Sequence, residues 1–84
     1  MTHYKIGLSQ PNEGVGQRIA DAANKMHMSP QGLAIAVGIT LREVVSIEVG
    51  DTIPSDEILF RIGEVLGSPF HWLKYADEHC RPVA

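Results

Sequence analysis

The stretch "GITLREVVSIEVGD", residues 38–51, holds the side chains with the most chemistry to offer. Arg42 presents a planar fork of donors that can hold the O6 and N7 of a guanine, a phosphate or a carboxylate in two places at once. Thr40 and Ser46 add hydroxyls, which are weaker readers of a base edge. Against the one arginine stand Glu43, Glu48 and Asp51. At about 100° per residue, Val44 and Ile47 fall on one face of a helix and Leu41, Arg42, Val45, Ser46 and Val49 on another. The first face belongs to a core. The second is mostly aliphatic, with Leu41, Val45 and Val49 at i, i+4 and i+8, a spacing that suits a contact seam for another protein.

Other chemistry is sparse. His3, His27, His71 and His79 lack the paired spacing of a four-ligand metal site, and Cys80 beside His79 adds only a coincidence. Surface or half-buried histidines and an incidental thiol are the expected readings, with no metal and no cofactor. Gly14 and Gly16 in "GVGQR" lack the preceding strand and the remaining glycine of a dinucleotide loop. No carboxylate pair or nucleophile-base set suggests an enzyme.

The elements that must position these residues read as five short helices. Val15, Ile19, Ala22, Ala23 and Met26 form an apolar stripe, with Asn12 placed to cap it. In "SPQGLAIAV", Ser29 stands at an N-cap and Pro30 at the first helical position, where a missing N–H costs nothing; Gly38 stops the helix. Thr40 and Glu43 then make a capping box that opens the third helix, residues 40–49. Ser55 caps a fourth helix with Asp56 and Glu57 in its first turn, the stripe Ile58, Leu59, Ile62, Val65, Leu66, and Gly67 as its stop. "SPFHWLKYA" repeats the Ser-Pro opening and supplies Phe70, Trp72, Leu73 and Tyr75 as a lid. Leu33, Val37, Val44, Ile47, Ile62, Leu66 and Trp72 are expected to be buried together.

Ahead of the helices, Tyr4, Ile6 and Leu8 alternate with polar or small residues. Such a segment can pair with its copy in a dimer, lie as an ordered arm, or remain a flexible leader. The division expected is an arm over 1–12, a helical domain over 13–76 and a tail over 77–84. A chain of 84 residues makes one small domain that buries about 60–65% of its unfolded surface. No apolar run approaches the ~20 residues of a membrane span and no leader sequence marks the chain for secretion, so a soluble, cytoplasmic protein is expected. Seven basic and ten acidic residues give a net charge of −3, an unhelpful sign for approaching phosphates.

From Gly16 to Tyr75, roughly seventy per cent of the chain, the spacing resembles the Cro-like and Xre-like phage-repressor helix-turn-helix family. The resemblance rests on "GQRI", on "MSPQGLAIAVGIT" with Leu33, Ala34, Val37, Gly38 and Ile39, on Val44, Ile47, Glu48 and Gly50, and on Pro54, Leu59, Leu66, Gly67, Trp72 and Leu73. It implies an all-α, five-helix fold whose second helix crosses the phosphate backbone and whose third enters the major groove of double-stranded DNA. It also implies a transcriptional regulator, a homodimer, with DNA contacts from Gln31, Thr40, Leu41, Arg42 and Ser46. The chain departs from the family's habits at Pro30, where glutamine is common, and at Ala23, where an arginine often pairs with the glutamate corresponding to Glu48. The alternative is the same fold turned to a protein partner through Leu41, Val45 and Val49, as in an antitoxin, an anti-repressor or a phage-encoded inhibitor.

Overall fold

The computed structural model describes residues 14–76, over which the chain forms α1 (Val15–Lys25), α2 (Pro30–Val37), α3 (Leu41–Glu48), α4 (Asp56–Leu66) and α5 (Phe70–Tyr75). Among the described residues there is no strand, and no single helix is long and apolar enough to cross a membrane. The segment around Tyr4, Ile6 and Leu8, the cap expected at Asn12, and the tail with His79 and Cys80 lie outside the described residues.

Local chemistry sets each boundary of the central pair. Ser29 is extended, and its hydroxyl oxygen accepts from the Gly32 N–H at 3.0 Å, with Pro30 opening α2. Gly38 closes it at φ 90°, a left-handed conformation that costs a residue with a Cβ, while its N–H donates to the Ala34 carbonyl at 2.8 Å. Two residues later the capping box closes in both directions. The Glu43 N–H donates to the Thr40 hydroxyl at 3.0 Å, and the Thr40 N–H donates to the Glu43 carboxylate at 2.9 Å. Between α2 and α3 the chain bends by 115°, the crossing expected of a helix-turn-helix unit.

Behind α2 and α3 sits the core. Ile19 from α1, Leu33 from α2, Val44 and Ile47 from α3, Leu59 and Ile62 from α4 and Leu73 from α5 are all at most 3% exposed. Six of the seven residues expected to be buried together are so, and Trp72 is the exception: it is half-buried against the edge of the cluster while Leu73 fills the centre. A helix as short as α5 offers the core little more than one turn, and the slim leucine fits where an indole would not. Met26 also leaves the expected stripe, at 47% exposed, because α1 ends at Lys25. His27 adopts the left-handed conformation at φ 56° and the Met28 N–H returns to the Ala23 carbonyl at 2.9 Å, so that Met28 packs on the core in Met26's stead.

The second Ser-Pro opening behaves differently from the first. Ser55 caps α4 as expected, its hydroxyl accepting from the Ile58 N–H at 3.2 Å. Ser68 is instead buried beneath the end of α4, its N–H donating to the Gly63 carbonyl at 3.0 Å, and Pro69 takes the N-cap of α5 with no side-chain cap. Completing the left-handed turn at Gly67 therefore uses the serine that the sequence assigned to α5. At the other end of α5, Arg18 reaches across from α1: its Nε donates to the Leu73 carbonyl at 2.9 Å and its Nη2 to the Lys74 carbonyl at 3.3 Å, satisfying carbonyls that the helix end leaves open.

Candidate nucleic-acid interface

The residues singled out in the sequence lie on α2, on α3 and in the turn between them, and most of them are exposed. Gln31 is exposed in the first turn of α2, and Leu41, Arg42 and Val45 are exposed on α3. Arg42 makes no hydrogen bond or ion pair with any other described residue, so its fork is open to solvent. Thr40 is also exposed, but its hydroxyl accepts from Glu43 N–H and stands 3.2 Å from the Glu43 carboxylate. Ser46 is half-buried, and its hydroxyl lies 2.6 Å from that of Thr52 in the following loop. Two of the expected contacts, Thr40 and Ser46, are thus committed to structural bonds.

The aliphatic seam stands outward. Leu41 is 43% exposed, Val45 44% and Val49 65%, and Ile53 in the next loop prolongs the row at 62%. Val49 and Ile53 border a shallow recess of about 310 Å³ between the start of α1 and the end of α3, which Gly16, Glu48 and Thr52 also line. Ala23 is 3% exposed, at the position where the family resemblance implies an arginine. Glu48 is half-buried and makes no hydrogen bond or ion pair among the described residues; burial alone pushes its carboxyl above the ordinary carboxylate range. Arg18, a basic residue of α1, is turned to α5.

Charge around the interface is distributed in a way that the sequence did not disclose. Asp56 accepts from Lys74 Nζ at 2.6 Å and Glu57 from Arg61 Nη2 at 2.9 Å. Those two acids therefore oppose a phosphate less than bare carboxylates would, and the two cations are correspondingly drawn away from any ligand. The pKa of Lys74 is held above its usual range, first by the hydrogen bond that its ammonium donates to the Asp56 carboxylate. A pairing across eighteen residues of sequence, between the N-terminal turn of one helix and the next helix, has no periodic signal to reveal it. Among the described residues no group of three or more His, Cys, Asp or Glu is placed to hold a metal ion.

The sequence profile of the helix-turn-helix family matches residues 19–73. The chain belongs to that family, in its Xre/Cro-like branch. Among solved structures it is similar to the N-terminal DNA-binding domain of SinR from Bacillus subtilis, at 30% identity and a TM-score of 0.70, over 77% of this chain and 93% of that one. A chain of the SinR–SinI protein complex matches at 30% identity and a TM-score of 0.69, over 77% of this chain; the match spans 62% of the length of that chain. The P22 c2 repressor, solved with a synthetic operator, shares the fold at a TM-score of 0.72 and 24% identity, over 75% of this chain and 96% of that one. No curated protein matches the chain significantly by sequence.

Proposed function

We infer that this chain is a DNA-binding transcriptional regulator that lays α3 in the major groove and α2 across the phosphate backbone. The observation that carries this reading is the open Arg42 fork on the outward face of α3 in a chain of the helix-turn-helix family, with Gln31 exposed in the first turn of α2. Arg42 would grip a guanine, Gln31 a phosphate, and Thr40, Leu41 and Ser46 would line the remaining contact. Support also comes from SinR, whose matching domain is described as DNA-binding.

Cations for the phosphates are few. Arg61 and Lys74 are in ion pairs and Arg18 holds α5, which leaves Lys25 and Arg42 among the described residues. One protomer would therefore bind modestly, and a homodimer doubling the contacts would engage half-sites about 34–36 Å apart. A regulator of this kind acts where the DNA is, in the cytoplasm. Titrating salt against retention of random duplex DNA tests the reading: binding at low salt that falls with a log-log slope of about −0.9 per phosphate neutralised supports it. A protein that stays monomeric and retains no duplex at low salt contradicts it.

A second reading keeps the fold and changes the ligand. The exposure of Leu41, Val45 and Val49 favours it, because covering aliphatic groups is worth roughly 1.5–3 kcal/mol each when complete. A protein partner, or a second copy of this chain, would then lie on α3.

A further inference from the structure

We propose that Leu41 and Val45 read thymine methyl groups, so that each half-site consists of one guanine held by Arg42 beside A·T pairs whose thymines face α3. The proposal rests on the DNA-binding reading above and names the sequence class that this surface selects. Its first support is what remains free to read. Thr40 and Glu43 are tied to each other and Ser46 to Thr52, so the exposed side chains over Leu41–Val45 that make no hydrogen bond are one fork, Arg42, and two aliphatic groups, Leu41 and Val45.

In the major groove the C5 methyl of thymine is the one apolar feature that a base pair displays; guanine shows two acceptors and cytosine an amino donor. Leucine or valine set over a G·C pair would strip water from those polar groups and return nothing, whereas over a thymine the same side chain covers a methyl. Discrimination therefore comes from both directions. Spacing agrees: four residues advance α3 by about 6 Å, close to two base-pair steps at about 3.4 Å each. The N-terminal residues of a recognition helix are those that meet base edges. Val49, at the C-cap and beside the recess with Ile53, is too far along the helix to share the task.

The test begins with the full chain and a duplex selected from a random pool at low salt, after which each thymine is replaced in turn by deoxyuridine, which differs only by the missing methyl. At two positions of the half-site, affinity should fall ~fourfold per methyl lost, the equivalent of one buried CH₂. Leu41→Ala should erase the thymine-to-uracil difference at one of those positions and Val45→Ala at the other; both side chains are exposed, so folding is retained. A duplex that binds equally well with every thymine replaced overturns the methyl reading and leaves DNA binding standing. So does a uracil effect that persists in both alanine variants. If no duplex is retained at all, the DNA-binding reading fails, and this one with it.

Discussion

Gly16 on α1 lies directly against the backbone of Ile47 on α3: a Cβ added to the glycine would stand 2.2 Å from the Ile47 carbonyl oxygen and 2.8 Å from that of Glu48. Backbone meets backbone there, and the contact seats the last turn of α3 on the first turn of α1. Because α3 carries the proposed interface, its tilt is set partly by the absence of one methyl group.

Gly16→Ala should accordingly destabilise the fold by about 1–3 kcal/mol, since a carbonyl cannot swing aside as a flexible side chain can. Urea denaturation reads this directly. A midpoint unchanged by the substitution would mean that α1 and α3 slide apart freely.

Ile47 and Val49 separate the two faces of α3. At 3% exposed, Ile47→Ala should cost roughly 2–5 kcal/mol by opening a cavity, while Val49→Ala, at 65% exposed, should cost well under about 1 kcal/mol. Equal losses in a thermal melt would contradict the placement of α3.

Arg42→Ala should weaken specific DNA binding by roughly 1–3 kcal/mol and relax selection at one base pair, with the melting temperature unaltered. Competition among duplexes varied at single positions measures both effects. Uniform weakening on every sequence would reassign Arg42 to a phosphate.

Glu48 gives a pH dependence whose sign follows from its surroundings. Burial raises its folded-state value above the ordinary 4.5. As pH climbs through that window the unfolded chain releases its proton first, so this group lowers stability as pH rises, and the loss is complete once the folded value is passed. Glu48→Gln should be more stable than the parent at neutral pH and lose that advantage below the ordinary value. Denaturation at acidic and neutral pH checks it, and an equal advantage at both would trace the effect to packing.

Most of the scaffold was legible because its boundaries are written in local chemistry. Ser29-Pro30, Gly38, the Thr40–Glu43 box, Ser55 and Gly67 each act within four residues, and each does in the structure what its type requires. What escaped was decided across the chain. Trp72 and Leu73 are neighbours on a one-turn stripe, and only the space beneath them selects the leucine. Ser68 resembles Ser29 in sequence but is consumed by the close of α4. Arg18 on Leu73 and Lys74, and Lys74 on Asp56, join residues far apart in sequence. At the interface, the outward set of α3 followed from helical period alone; that Ser46 would be tied to Thr52 depends on how the next loop folds back.

The central claim is that the outward face of α3 contacts duplex DNA, and Val45→Glu tests it most directly. Val45 is 44% exposed and lies one turn from Leu41, so a carboxylate there should leave the melting temperature unchanged while placing a negative charge against the groove. Measured by fluorescence anisotropy at low salt beside the parent chain, duplex binding should fall by at least tenfold, about 1.4 kcal/mol, with the fold and any dimer intact. Undiminished binding to the same duplex would place the DNA elsewhere. Loss of a dimer or of a protein partner, in a chain that never held DNA, would instead give α3 to the protein-binding reading.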